Sequence, residues 1–380
     1  MKVALVHDQL QEFGGAERVL IALKGIFPAA DVFTSFYSPA SLGKQRGQFA
    51  DWNITESPLA KIPYLKKFYS PFRFITPLIW KGFDLSAYDV VISSSGSYMS
   101  KGVSVKPGAL HICYLHHPPR YLYYYETALE WQKYWPIKLY AHLINRDLRI
   151  YDYLSSQTVD FFITNSEETK KRINKFYRRD ATVIYPPVSI PDKKSLSDNL
   201  SLPDHYLTVS RLARAKHIDV LIRAAGRFHF KLKVVGRGRD LDYLRSLAGD
   251  TVEFLTDVAD DELPELYKKA RAFLFAAVDE EFGIAPVEAM GWALPVIALK
   301  SGGVPETVRE GFNGFLFNKL SPLSLGEEIK KLESLAARDY ETLKKNARKT
   351  AEKFSPAVFK QRISNFVDEK LKSNARTSRS

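Results

Sequence analysis

Two glutamates, Glu280 and Glu288, stand eight positions apart in the run Asp279-Glu-Glu-Phe-Gly-Ile-Ala-Pro-Val-Glu-Ala-Met-Gly291. A strand-like run, Ala272–Ala277, precedes them, and a second short apolar run begins near Pro295. Phe282-Gly283 makes the turn, and glycine lets the backbone approach a ligand closely. The amides of Ile284 and Ala285 fall where a helix N-terminus would open toward an anion. The spacing puts one carboxylate at a loop tip and the other a turn or so into a helix, with phosphate-binding amides between them. That suits a sugar nucleotide, with Glu280 on sugar hydroxyls, the amides on the pyrophosphate and Glu288 on the ribose. Acidic residues also favour a first helical turn without any ligand, so the pair alone leaves both readings open.

Other candidates sit at the ends of strand-like runs. Arg211 and Lys216, five residues apart after Leu207–Val209, could pinch a pyrophosphate from two sides. The run Leu232–Val235 ends in Gly236-Arg-Gly-Arg-Asp240, a glycine turn where Gly236 and Arg237 would meet a nucleotide. Asp240-Leu-Asp242 matches the Asp-x-Asp pattern that can hold a divalent metal. It also opens a helix-like stretch, and capping is the favoured reading. Ser301-Gly-Gly-Val-Pro-Glu-Thr307 offers further backbone donors or close packing near the same place.

Near the start, Phe13-Gly14-Gly15-Ala-Glu-Arg18 follows the first apolar run, with a helix expected from about Ala16. Its glycines permit close approach of a phosphate or sugar, although it is not the Gly-x-Gly-x-x-Gly fingerprint. Ala109–Leu115 runs into His116-His117-Pro-Pro-Arg120. Adjacent histidines on an extended chain point to opposite sides and no third ligand is near, so zinc is disfavoured and a donor-sugar contact by His116 is the sharper reading. No nucleophile elbow, Walker loop or His-Glu-x-x-His helix occurs.

These loops need elements to hold them. The 380 residues allow two or three domains, and 45% hydrophobic with 26% charged residues is the balance of a folded protein. Short apolar runs alternate with helical-length segments: Val3–Val6, Asp31–Thr34, Val90–Ser93, Ala109–Leu115, Phe161–Thr164 and Ala181–Tyr185, then Tyr206–Val209, Leu232–Val235, Val252–Leu255, Ala272–Phe275 and Val296–Ala298. Continuously apolar strands alternating with helices imply α/β architecture with doubly wound parallel sheets. A proline-rich polar break from Tyr185 to Asp198 marks the linker. The expected organisation is a Rossmann-like domain over 1–187 and a second over 188–354, facing each other across a cleft. Residues 355–380 follow. There Val358, Phe359, Ile363 and Phe366 fall at helical spacing and would cross back to the first domain, and Lys370–Ser380 reads as a polar, frayed tail.

The lone Cys113, between apolar neighbours, reads as a buried thiol in a protein of a reducing compartment. No run reaches the ~18 apolar residues of a membrane span, and the opening Met1–Asp8 is too short for a signal peptide, so a cytoplasmic protein is expected. A net charge of +12 favours an acidic partner. Nucleic acid has the charge to bind but lacks its modules here. The stretch Leu59–Lys81 mixes lysines and an arginine with large aromatics and contains no acid. A second aromatic cluster, Tyr121–Tyr125 with Trp131, Tyr134 and Trp135, is followed by Lys138 and Arg146. These residues are either domain core or a face for an anionic membrane surface. The prolines at 63, 71 and 77 argue for short segments rather than one helix.

Taken together, the motifs resemble retaining glycosyltransferases of family 4, with the GT-B fold, along essentially the whole chain. The Glu-x7-Glu signature is Glu280 to Glu288, the paired basic residues are Arg211 and Lys216, the glycine loop is Gly14-Gly15 and the histidine is His116. Val3–Asp8, Asp89–Ser94, Ala109–Tyr114 and Val183–Pro187 are similar to segments of mannosyltransferases that build O-antigen and other surface polysaccharides. The arginines of Gly236-Arg-Gly-Arg depart from that pattern. The resemblance implies a nucleotide-sugar donor, with GDP-mannose the first expectation and a UDP-sugar the alternative. It also implies a lipid-linked (polyprenyl-diphosphate) saccharide acceptor, no bound metal and no cofactor. Retention then needs no nucleophilic side chain, because the departing phosphate oxygen takes the acceptor's proton while Arg211 and Lys216 stabilise the leaving charge. A sugar-nucleotide epimerase is the other reading, and it leaves the basic aromatic stretch unexplained.

Overall fold

A computed structural model of the chain describes residues 1–125, 134–196, 203, 205–259 and 262–377. Trp131, Ser197, Asp198 and the last three residues lie outside them. The described residues divide into two units, one of 1–125, 134–187 and the helix from Ala357, the other Val188–Pro356.

The first unit is built on strands β1 (Val3–His7), β2 (Asp31–Thr34), β3 (Ile54–Glu56), β4 (Val90–Ser95), β5 (Leu110–Leu115), β6 (Phe161–Thr164) and β7 (Ala181–Val183). They pair in the order β3-β2-β1-β4-β5-β6-β7, all parallel. β1, β4 and β5 are buried at every position, as central strands with both faces covered must be. Helix α1 (Gly15–Ile26) starts at Gly14, whose N–H donates to Glu17 Oε2 at 2.7 Å, and buries Val19, Leu20 and Leu23 on one face. Helix α2 (Thr76–Lys81) follows two 3-10 turns, Pro58–Lys61 and Ser70–Ile75. Helix α3 (Trp135–Gln157) is fastened to the sheet through a fully buried ion pair of Lys101 with Asp152, whose Oδ2 also accepts the Tyr123 hydroxyl at 2.7 Å. In helix α4 (Glu167–Tyr177) Ser166 Oγ caps the Thr169 N–H.

The second unit repeats the plan. Strands β8 (His205–Val209), β9 (Leu232–Val235), β10 (Val252–Leu255), β11 (Ala270–Phe275), β12 (Val296–Leu299) and β13 (Gly314–Phe317) pair in the order β10-β9-β8-β11-β12-β13, again parallel. Helix α5 (Ile218–Phe228) buries Ile218, Leu221, Ile222 and Ala225, the spacing of one helical face. Around the same sheet lie α6 (Leu241–Leu247), α7 (Leu263–Lys269), α8 (Ile284–Gly291), α9 (Val304–Thr307), α10 (Pro322–Glu333) and α11 (Ala337–Ala351).

The last helix, α12 (Pro356–Thr377), belongs to the first unit: Phe359, Ile363, Phe366 and Val367 lie in one cluster with Leu5, Val90 and Ile112. Val358 is only half-buried and stands outside that cluster. The helix continues to Thr377, so the segment from Lys370 read as a frayed tail is helical over most of its length. Two short strands, β3 and β13, were not expected. Both are edge strands, where a brief apolar run carries little signal.

Candidate active site

In both sheets the strand order reverses beside the first strand of the unit, between β1 and β4 and between β8 and β11. Ligands of open parallel sheets bind beyond the carboxyl ends of the strands at such a switch point. The loop after β8 carries Arg211 and Lys216, and the loop after β11 carries Asp279–Gly283. They meet. Lys216 Nζ donates to Glu280 Oε2 at 2.6 Å, with both side chains partly exposed. Arg211 is exposed on the same loop as Lys216, while Leu212 beside it is fully buried and anchors the turn.

Gly283 precedes α8 with φ +83°, a conformation that favours glycine. Ile284 and Ala285 form the first turn of α8, whose leading N–H groups have no intrahelical partner. Glu288 lies one turn further on and is half-buried. The acid loop is braced from behind. A Cβ on Gly302, at φ +57°, would stand 2.1 Å from the Glu280 carbonyl, and one on Gly303 2.0 Å from that of Glu281. The Gly303 N–H donates to Glu280 O at 2.8 Å and Ser301 Oγ accepts the Asp279 N–H at 2.9 Å. The Ser301-Gly-Gly turn therefore shapes the loop by close packing.

Three of the sequence candidates have contacts of their own within the protein. Gly236, expected at the nucleotide, has its N–H bound to Leu255 O at 3.0 Å, and a Cβ there would lie 2.0 Å from Ser210 O. It is a glycine because two backbones touch. Arg237, also expected at the donor, donates through Nε to Thr256 O at 2.7 Å and pairs with Asp257, so its guanidinium serves the loop after β10. Phe282 is buried edge-to-face against Phe354, and its ring stabilises the loop from inside. Asp240 and Asp242 stand at the start of a helix, α6, as expected. Asp240 occupies the N-cap of α6 without a side-chain cap bond, and its carboxylate faces Arg214 Nε at 3.5 Å. Among the described residues no group of three or more His, Cys, Asp or Glu is placed to hold a metal ion.

At the other switch point His116 follows β5 and is nearly buried, its Nε2 2.8 Å from Ser94 Oγ. Gly14 is the extended N-cap of α1 and Gly15 its first residue, one position before the expected start at Ala16. Neither has a positive φ. The sequence reading passed over three residues beside them, His7, Glu17 and Asp8. Asp8 accepts the N–H groups of Gly96, Tyr98 and Ser100 at 2.8–3.0 Å and so fixes the loop after β4. A Glu three residues after Gly14 was the available signal, since that spacing is a capping box. Further inside β5, burial pushes the Cys113 thiol up to about 12 and the His111 imidazole down to about 4, so both sit in the core as neutral groups.

Comparison with known proteins agrees with this architecture. Residues 13–190 match the family described as Glycosyltransferase Family 4, and residues 198–350 match Glycosyl transferases group 1. Among solved structures, Anabaena HepE in complex with UDP superposes with a TM-score of 0.72 at 20% identity, covering 97% of this chain and all of that one. The chain thus has the GT-B fold, and each of its two halves is similar to one of these glycosyltransferase families. The GtfA subunit of the UDP-N-acetylglucosamine–peptide N-acetylglucosaminyltransferase of Streptococcus pneumoniae is 28% identical over 178 residues, 44% of this chain and 35% of GtfA. A D-inositol 3-phosphate glycosyltransferase of Streptomyces bingchenggensis is 27% identical over 206 residues, 46% of this chain and 45% of that protein. The chain spans about half or less of the length of these relatives.

Proposed function

We propose that the protein is a retaining glycosyltransferase that moves a sugar from a nucleotide diphosphate onto a saccharide acceptor. The observation that carries this reading is the contact of Lys216 with Glu280 at the β8/β11 switch point, with the start of α8 beside it. A cation and helix amides suit the diphosphate of one donor, and the carboxylates Glu280 and Glu288 on the same loop and helix suit its sugar and ribose hydroxyls. In this reading the second unit binds the donor, with Arg211 and Lys216 on the leaving diphosphate, Glu280 on the sugar and Glu288 on the ribose. The first unit binds the acceptor, and His116 contacts the donor sugar. No side chain acts as nucleophile and no metal is required, so turnover persists in the presence of a chelator.

GDP-mannose is the donor favoured by the resemblance of the strand-end segments to mannosyltransferases. A UDP-sugar is the second reading, favoured by a structural neighbour solved with UDP and a relative named for UDP-N-acetylglucosamine. The acceptor is a polyprenyl-diphosphate-linked saccharide of surface polysaccharide assembly, such as lipopolysaccharide O-antigen, met at the cytoplasmic leaflet. Support comes from the aromatic face of the first unit. Tyr64, Phe68, Phe72, Phe74, Trp135 and Leu139 are exposed, and the Tyr140 hydroxyl bonds Pro71 O, which joins the segment 58–81 to α3. Lys61, Lys67, Lys81, Lys138 and Arg146 are exposed in the same two segments. Tyr69 and Trp80 belong instead to the core. Among the described residues no helix is long and apolar enough to cross a membrane.

The test is a thermal-shift panel of GDP-mannose and UDP-sugars followed by a donor-hydrolysis assay. One nucleotide sugar should raise the unfolding temperature by mass action and be slowly hydrolysed. Stabilisation by none of them would overturn the reading.

A further inference from the structure

Helix α3 has a packed side and, opposite it, an exposed apolar side. Inward lie Leu148, clustered with Met99, Tyr121 and Leu122, and Asp152, which pairs with Lys101 and accepts the Tyr123 hydroxyl. Lys101 and Asp152 are fully buried, so the rotation of α3 about its own axis is fixed. Outward, Trp135, Leu139, Leu143, Ile150 and Leu154 are 75%, 56%, 62%, 51% and 57% exposed. At about 100° per residue these five share an arc of about 100°, roughly opposite Leu148. One apolar stripe is enough to seat a helix on its own core. A second, exposed stripe of large side chains marks a binding surface.

Charge says what that surface meets. The exposed charges of α3 are Lys138, Arg146 and Asp147. The Tyr140 hydroxyl on Pro71 O joins the helix to the segment 58–81, which has no acidic residue and exposes Lys61, Lys67 and Lys81. Five exposed basic side chains against one acidic one suit an anionic leaflet, whereas a second copy of this chain would set like charges against each other. Among the described residues no helix is long and apolar enough to cross a membrane. We infer that α3 is an interfacial helix that lies along an anionic leaflet over its whole length, with the outward stripe below the headgroups and the basic side chains among them. Its 23 residues then extend about 34 Å in the membrane plane. The inference rests on the membrane docking proposed above and names the element that docks.

Flotation of the full-length protein with vesicles of phosphatidylcholine and phosphatidylglycerol in equal parts tests it, with Leu143→Glu and Leu154→Glu as variants. Both side chains are exposed, so the unfolding temperature and the slow hydrolysis of donor should stay at wild-type values. Each variant should lower the vesicle partition coefficient about tenfold or more, the scale of one leucine side chain returned to water. Loss at both positions supports a helix lying flat. Loss in Leu143→Glu alone would overturn docking along the whole length. Phe74→Glu, on the neighbouring segment, separates this inference from the reading beneath it. If Phe74→Glu abolishes flotation while both helix variants float like wild type, α3 is not the docking element and the membrane reading stands. A wild-type protein that does not float overturns both. A wild-type dimer in sedimentation that Leu154→Glu disperses would assign the stripe to a second copy and overturn the inference.

Discussion

Lys216 holds one end of a partly exposed ion pair, and such pairs contribute little to folding. Its removal should therefore be felt in turnover and not in stability. Lys216→Ala and Arg211→Ala should each reduce sugar transfer about 10²-fold or more, the scale for losing a contact to developing charge, with the unfolding temperature of the free protein little changed. Steady-state kinetics beside thermal unfolding checks this, and near-normal turnover in both variants would contradict the assignment. At this scale the sequence was legible for position: Lys216, Glu280 and His116 follow the strands expected to precede them. It was not legible where a distant backbone decides the role. Gly236 answers to Ser210 and Leu255, and Arg237 to Thr256 and Asp257. Nothing in the local run Gly236-Arg-Gly-Arg announces those neighbours.

Among elements, the turn between β12 and α9 acts as a former for the acid loop. Gly302→Ala must both leave φ +57° and clear the Glu280 carbonyl. It should weaken donor binding with the carboxylates themselves intact, measurable as a raised KM for the nucleotide sugar, and unchanged KM would sever the link. Strand β5 carries a second prediction. His111 titrates near 4 in the folded chain against 6.5 as its ordinary value, driven by burial. Between those values the unfolded chain binds the extra proton, so this group costs nothing above pH 6.5 and destabilises progressively as pH falls toward 4. The full span is worth about 3 kcal/mol and about 2 kcal/mol by pH 5. Denaturant unfolding of wild type and His111→Gln at pH 7 and pH 5 isolates it. The wild-type advantage should shrink by about 2 kcal/mol, and a difference independent of pH would refute the claim. Strands with continuous apolar runs were readable along the chain. The three-residue β3 and the glycine-headed β13 were not, because they hold edge positions with few side chains to bury.

For the whole molecule, the proposed docking on an anionic membrane rests on +12 of charge and on an exposed aromatic face of one unit. Flotation should show binding to anionic vesicles that weakens with added salt and is absent on neutral ones. Equal behaviour toward both would contradict the membrane reading of this face. The proposed division of labour between Glu280 and Glu288 is tested most directly by calorimetric titration. Free nucleotide and the matching nucleotide sugar are each titrated into wild type, Glu280→Ala and Glu288→Ala. Glu288→Ala should weaken both ligands alike. Glu280→Ala should spare the free nucleotide and lose about 1–3 kcal/mol with the sugar-bearing donor alone, the cost of an unmade hydrogen bond. Identical losses for nucleotide and nucleotide sugar in Glu280→Ala would contradict the placement of the sugar at the Lys216–Glu280 contact.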